Sequence, residues 1–399
     1  MSNIQKTVLL VVIFSLGIFV GQNVSLPLSK SVPVVGEVLN TQTSRPDLSL
    51  FWKVWDLMNE KYFDKAKIDP KKMIDGAIAG MVSAIGDPYT VYLTPEQNEN
   101  FNENISGKYS GVGIQLGYQD QRMVVIAPLD ETPAQRAGVK PNDQILKIGD
   151  KNAAEITLPE AVTLIRGNAG TSIKLTLLSD GSEEPYEINL VREEIIVKTV
   201  SLKSLPENTA YVKITQFGDN TRSEWAKIVD EIKNAGYNKV ILDLRNNPGG
   251  RFDTAIRIVS EFVGSGLAAK QEWYDGRKQD YPVLPGGRLT KTPLIVLVNK
   301  GSASASEIFA GSMKDNNRAK VIGEKTFGKG TVQEVEEFDN KGGVHITSSR
   351  WLTPNGTWIN DNKGLTPDIE ITLPAPKEGE GIISDLTKDL YIIKALEVF

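Results

Sequence analysis

The run Asn299 to Gly311 reads N-K-G-S-A-S-A-S-E-I-F-A-G. An apolar strand pattern, Pro293 to Val298, leads into this turn of small residues, and a helical pattern, Ser306 to Met313, leaves it. Small residues let a substrate backbone approach closely. A serine at the start of a helix gains from unpaired N–H groups and the helix dipole, both of which favour a developing negative charge. The chemistry this suits is attack by a hydroxyl. The plainer role of such serines is to cap the helix, and the turn alone does not separate the two. Composition narrows the field. The 399 residues include no cysteine and one histidine, His345. That excludes thiol nucleophiles, disulfides, iron–sulfur clusters and thiolate zinc sites. It also excludes a two-histidine metal site within one chain. Any Ser-His-Asp scheme has to run through His345. That residue sits in an alternating strand pattern, Gly343 to Thr347, with no triad partner near it, so a structural histidine is expected. A serine nucleophile here needs a base other than histidine.

The elements that must hold this turn follow from the patterning. From Val200 the chain alternates strands with helices. Strands are expected at Ala210 to Thr215, Lys239 to Leu244, Pro293 to Val298 and Val321 to Gly323, with helices at Glu224 to Ala235 and 252–263. Such alternation implies a central, largely parallel sheet. Sites in such sheets lie beyond the carboxyl ends of strands. Two turns fall there, the serine turn and Arg245-Asn246-Asn247-Pro248-Gly249-Gly250. Two other glycine motifs mislead. Gly323 to Gly330 nearly matches a phosphate-binding loop, but Gly330 stands where a magnesium-binding Ser or Thr is required, and no long helix follows. Gly111-Val112-Gly113 lacks the third glycine of a dinucleotide fingerprint, because Leu116 occupies that place.

Upstream, Phe51, Val54, Trp55, Met58 and Tyr62 form one apolar helical face, and a second helix begins at Asp69-Pro70 and stops by Gly86-Asp87-Pro88. A helical cap or a dimer contact is the expected role. Val8 to Val20 is apolar save Ser15 and Gly17, and Lys6 precedes it. Thirteen residues fall short of the roughly 18–20 of a comfortable span and fit a signal-peptide core. Without an A-x-A site, cleavage and retention as an anchor both stay open. Either places the rest of the chain in the cell envelope, outside the cytoplasmic membrane. The net charge of −5 argues against nucleic acid as the main partner.

Between about Asn104 and Arg192 the texture changes to short strands and glycines. Thr132-Pro133-Ala134-Gln135-Arg136-Ala137-Gly138-Val139, then Asp143-Gln144-Ile145-Leu146-Lys147-Ile148-Gly149, then Leu158 to Gly167 and strands Ser172 to Leu178 and Tyr186 to Val191, resemble a PDZ domain. The loop Tyr109 to Ile114 can turn several N–H groups toward one carboxylate, and an adjacent strand edge can pair with an extended peptide. Gly111, Val112, Gly113 and Ile114 are the expected peptide-binding residues. Further on come T-F-G-K-G-T-V-Q at 326–333, L-T-P-N-G at 352–356 and G-L-T-P-D at 364–368. With the Asn-Pro-Gly-Gly turn, these resemble the C-terminal processing peptidases, or tail-specific proteases, serine peptidases with a Ser-Lys dyad. The likeness covers about 350 residues.

The resemblance implies an α/β (α+β multidomain) fold. A ClpP/crotonase-like protease core would carry an inserted PDZ domain and an N-terminal helical element. The expected division is 1–22 signal peptide or anchor, 23–46 linker, 47–103 helical element, 104–194 PDZ domain, 195–383 peptidase core and 384–399 C-terminal helix. It implies that the middle serine, Ser304, is the nucleophile rather than Ser302 or Ser306. Lys329 is then the general base and Gln333 orients it. The oxyanion donors are the N–H of Ala305 and of Gly250, with Gly249 as the alternative. Arg166 resembles a PDZ arginine implicated in switching. A lysine accepts a proton only when neutral, which at its usual pKa of about 10.4 is about 0.04% of molecules at pH 7. Burial lowers a lysine by up to about 3–5 units. Lys329 is therefore expected to be buried, with Phe327 and the flanking glycines supplying apolar surroundings. An ion pair with an Asp or Glu would count against the scheme. The implied partners are a protein or peptide with an exposed C-terminal tail, with an adaptor, a homodimer and the membrane through residues 8–20 as further ones. No cofactor, metal or ATP is expected. The competing reading is an inactive PDZ scaffold that only captures peptides.

Overall fold

A computed structural model describes residues 45–119, 122–179, 181–371 and 385–399. The expected signal or anchor segment, residues 8–20, lies outside them. Among the described residues no helix is long and apolar enough to cross a membrane. The chain divides into two compact units. Of the described residues, one takes 99–332 and 348–399, the other 45–98 and 333–347.

The larger unit is built on a six-stranded sheet. In spatial order its strands are Val200–Leu205, Thr209–Ile214, Lys239–Asp243, Leu294–Val298, Lys320–Gly323 and Ile369–Glu370. All neighbours are parallel except the first pair. Leu294–Val298 reads LIVLV and is buried throughout, as a parallel strand covered on both faces must be. Helix Ala305–Asp315 is buried from Ala305 to Met313. Small residues allow this: a Cβ on Gly311 would stand 2.9 Å from Thr353 Cγ2. Helix Phe252–Phe262 packs beside it through an edge-on Phe262–Phe309 contact, ring centres 5.8 Å apart. The C-terminal helix Leu390–Val398 buries Tyr391, Ile392 and Ala395 in a cluster with Tyr211, Ile241 and Ile295. Arg245 holds its start, pairing with both Asp243 and Asp389.

The same unit contains the inserted module. Its sheet runs Ile114–Gln119, Arg122–Pro128, Gln144–Ile148, Ser172–Leu178, Tyr186–Val191, so Ile114–Gln119 is an edge strand. Val112, Val125, Ile145, Leu175 and Leu177 are in its core. Helix Leu158–Ile165 opens with a Thr157–Glu160 capping box, and Arg192 donates to the carbonyls of Leu164 and Ile165 at its end.

The smaller unit carries the two expected helices, Ser49–Lys61 and Pro70–Ser83. Asp69 caps the second, accepting from Lys71 and Lys72 N–H. Strand Val91–Leu93 pairs antiparallel with 343–345, and Val91 faces His345.

Candidate active site

Three adjacent parallel strands, Lys239–Asp243, Leu294–Val298 and Lys320–Gly323, release their loops at one end of the sheet. Those loops carry the Pro-Gly-Gly turn, the serine turn and the Lys329 segment. This is the place where an open α/β sheet puts its ligands.

The serine turn is stitched to the Pro-Gly-Gly turn by its outer serines. Ser302 Oγ donates to Leu244 O at 2.8 Å and Ser306 Oγ to Asn247 O at 2.9 Å. Asn247 O also accepts Ala303 N–H at 3.0 Å. Asn246 and Asn299 add a reciprocal pair, Asn246 N–H to Asn299 Oδ1 at 2.8 Å and Asn299 Nδ2 to Asn246 Oδ1 at 2.9 Å. Ser304 differs from its neighbours, since its hydroxyl donates to no carbonyl among the described residues. It is nearly buried, at 5% exposure. It stands at the start of helix Ala305–Asp315 with φ 52° and ψ −114°. A non-glycine residue in such a region costs about 1–3 kcal/mol. The Ser304 N–H donates to Glu307 Oε2 at 2.9 Å, and a hydrogen bond to a charged group contributes about 1.5–3 kcal/mol. The two are of one size, so the strained turn is tolerated.

Glu307 reaches further. Lys329 N–H donates to the same Oε2 at 2.9 Å, Gly328 N–H donates to Oε1 at 2.7 Å, and Thr326 Oγ1 also donates to Oε1. Phe327 N–H donates to Ser302 O at 3.0 Å. The backbones of Ser304 and Lys329 are thereby fastened to one oxygen atom. Burial pushes the Glu307 carboxyl up, against the pull of its four donors. The glutamate was in plain view in S-A-S-A-S-E, yet its spacing suggests only a helix cap, and nothing in the sequence links it to a loop 19 to 22 residues away.

Lys329 is 2% exposed. Trp351 Nε1 donates to its carbonyl at 3.0 Å. Phe327, expected to supply apolar surroundings, is 43% exposed. Gln333, in the smaller unit, is fully buried and donates through Nε2 to Thr347 Oγ1 at 3.0 Å. His345 is fully buried in the same unit.

The Pro-Gly-Gly turn presses on Ser304. A Cβ on Gly249, at φ +105°, would lie 2.8 Å from Ser304 Cβ and 2.9 Å from Ala305 N. Gly249 N–H is already taken, donating to Asn247 Oδ1 at 2.9 Å, while Asn247 Nδ2 donates to Ile214 O at 2.8 Å. Gly250, at φ +138°, bridges Phe217 in a parallel register. Neither Gly250 N–H nor Ala305 N–H has an acceptor among the described residues.

In the inserted module, an apolar groove of about 530 Å³ runs between the edge strand and helix Leu158–Ile165. Its lining includes Val112, Gly113, Ile114, Leu116, Val162 and Ile165. Gly111 begins the turn into it, at the end of strand Lys108–Gly111. Arg166 also lines the groove. It pairs with Glu103 Oε2 at 2.8 Å, donates to Asn100 Oδ1 at 3.2 Å and lies 4.7 Å from the centre of the Tyr109 ring. It is thus a braced, half-buried arginine rather than a solvated loop residue.

The Ser304 turn and the segment of the buried Lys329 are thus joined through Glu307, and the same unit carries an apolar groove. Residues 208–371 match the model of peptidase family S41, 124–179 match the PDZ domain and 14–97 match the activating protease CtpB N-terminal domain. The chain is 37% identical over 323 residues to the carboxy-terminal processing protease CtpA of Bacillus subtilis, covering 81% of this chain and 68% of that one. It is 37% identical over 337 residues to a probable CtpA-like serine protease of Staphylococcus aureus, covering 84% and 66%. It thus spans about two thirds of the length of these relatives. A putative S41 protease from Bacteroides fragilis shares the fold, with TM-score 0.53 at 16% identity over 88% of this chain and 97% of that one. The chain belongs to peptidase family S41, as a carboxy-terminal processing serine protease with a PDZ domain.

Proposed function

We propose that Ser304 is the nucleophile and Lys329 its general base, acting on proteins held by their C-terminal tails. Neutral Lys329 Nζ takes the Ser304 hydroxyl proton as Oγ attacks the scissile carbonyl. The resulting ammonium returns that proton to the leaving amine, and a water repeats the cycle on the acyl-enzyme. Ala305 and Gly250 N–H groups hold the oxyanion. The engagement of Gly249 N–H by Asn247 favours Gly250 over Gly249 in this role. Gln333, four residues beyond Lys329, orients the lysine in this reading, on the strength of the resemblance. The observation that carries the assignment is the difference among the three serines: Ser302 and Ser306 have their hydroxyls taken up by backbone carbonyls, and Ser304 does not. Digestion of a protein with an unstructured apolar tail tests it. Ser304→Ala should abolish cleavage, and His345→Gln should leave it within a few-fold of the parent. A Ser304→Ala variant that still cuts would refute the reading.

The tail is taken up as an added strand on Ile114–Gln119, its last side chain in the groove and its carboxylate at the Gly111–Ile114 turn. Leu116→Glu places a charge in that groove. The expected result is a KM raised about tenfold or more for tailed substrates, with hydrolysis of a short untailed peptide unchanged. Equal losses on both would show that the groove does not select the tail. Arg166, through Glu103 and Tyr109, links groove occupancy to turnover, and an adaptor can act there as well.

The proposal extends to assembly and location. Phe51, Trp52 and Met58 on helix Ser49–Lys61 are exposed, with Phe51 and Trp52 both packed on Trp55; such an apolar cluster suits an interaction site, and a second copy of this chain is the occupant we assign. Changing Phe51 and Trp52 together to Glu should convert a dimer to a monomer in sedimentation velocity; an unchanged mass would exclude this face. Residues 8–20 direct the chain to the cell envelope.

A further inference from the structure

We propose that Glu307 is a positioning residue of this active site, its ionised carboxylate setting the distance between the nucleophile's turn and the loop of the base. The inference rests on the Ser304–Lys329 reading and adds a third member to it. The two carboxylate oxygens share the work evenly: Oε2 accepts the N–H of Ser304 and of Lys329, and Oε1 accepts Gly328 N–H and the Thr326 hydroxyl. The direction of the Thr326 bond follows from its other contact. Thr326 Oγ1 accepts Leu365 N–H at 2.7 Å, so its own hydrogen is the one directed at Glu307. All four neighbours are therefore donors. Only a group that accepts at both oxygens satisfies them, and among side chains that is an ionised carboxylate. A proton on either oxygen, or an amide in its place, would turn hydrogen toward hydrogen. The helix that carries Glu307 begins at Ala305, so its dipole also favours the anion. Ala305 and Ser306 on that first turn are not ionisable, and on the 326–329 loop the one ionisable side chain is Lys329.

Glu307 is fully buried with both oxygens taken up by protein donors, so its effect is on geometry. Losing it should free the Ser304 turn and the 326–329 loop to drift apart, and a misplacement of about 1 Å costs on the order of 100-fold in rate. The test uses the full chain with a tailed peptide. Glu307→Gln should lower kcat about 100-fold or more with KM within about threefold. It should slow labelling of Ser304 by a fluorophosphonate in proportion. Thr326→Val, which removes one donor, should lower kcat about tenfold, and Thr326→Ser should restore it. This second pair carries the test if Glu307→Gln does not fold. Parental kcat in Glu307→Gln, a change confined to KM, or a Thr326→Ser variant no better than Thr326→Val would each overturn the proposal. Such results would leave the dyad intact, whereas cleavage by Ser304→Ala would remove the dyad itself.

Discussion

Lys329→Ala is expected to lower kcat about 10⁴-fold or more, the scale on which removing a general base acts on a serine hydrolase, while the protein stays folded. The fold should survive because the lysine's main-chain contacts do not depend on its side chain. Its N–H still donates to Glu307 Oε2 and its carbonyl still accepts Trp351 Nε1–H. Lys329→Arg should be as inactive, since a guanidinium stays charged and cannot take a proton. Lys329→Met, close in length and apolar, separates lost packing from lost chemistry: it should be at least as stable as Lys329→Ala and no more active. In the parent, activity should rise with pH as the amine loses its proton, because only the neutral form accepts the hydroxyl's hydrogen. Single-turnover cleavage of a tailed substrate across pH, with circular dichroism on each variant, checks all of this. Turnover by Lys329→Ala near the parental rate would refute the base assignment.

Gly249→Ala is expected to do nearly as much damage by steric means. Its Cβ would lie 2.8 Å from Ala303 O and from Ser304 Cβ and 2.9 Å from Ala305 N, on a backbone at φ +105° that alanine resists. None of these neighbours is the far end of a flexible side chain, so the Pro-Gly-Gly turn must back away from Ser304. Two losses should follow. Overpacking should reduce stability by about 1–3 kcal/mol. If Gly250 N–H holds the oxyanion as proposed, displacing it should lower kcat about 10²–10³-fold. Gly286→Ala is the control, because Gly286 has a similar φ of +95° with nothing within 4 Å of the added methyl. It should lose some stability and no activity. Thermal midpoints and kcat for the two variants decide the matter; equal effects would mean that strain at positive φ, rather than contact with Ser304, is what counts.

The regular elements were legible where the apolar spacing was strong. Lys239–Asp243 and Leu294–Val298 are nearly continuous apolar runs, and the strand–helix alternation leads directly to a parallel sheet with its loops at one end. Several elements were not legible, among them strands Val91–Leu93, Val200–Leu205 and Ile369–Glu370, one helix and one hairpin. Helix Pro95–Ser106 reads PEQNENFNENIS and buries just Phe101 and Ile105 of its apolar residues, too few for a periodicity. The hairpin Leu267–Trp273 and Lys278–Pro282 has a polar outer strand, KQDYP. Such edges fold because the inner strand offers a ladder, and the sequence pattern does not report that.

By itself the sequence determined the chemistry available to this protein. With one histidine and no cysteine, and with a serine turn and a lysine in order along the chain, few nucleophile and base pairings remain. The tertiary structure decided which atoms of those segments are at liberty. Three serines share one turn, and the hydrogen bonds of Ser302 and Ser306 to Leu244 and Asn247, from a loop some 60 residues earlier, set Ser304 apart from the others. Two glycines share another turn, and Asn247 takes the N–H of one of them. Glu307 looks like a helix cap until the 326–329 loop closes on it. In each case the deciding partner is far away in sequence, because a donor or acceptor is used up by whatever the fold brings beside it.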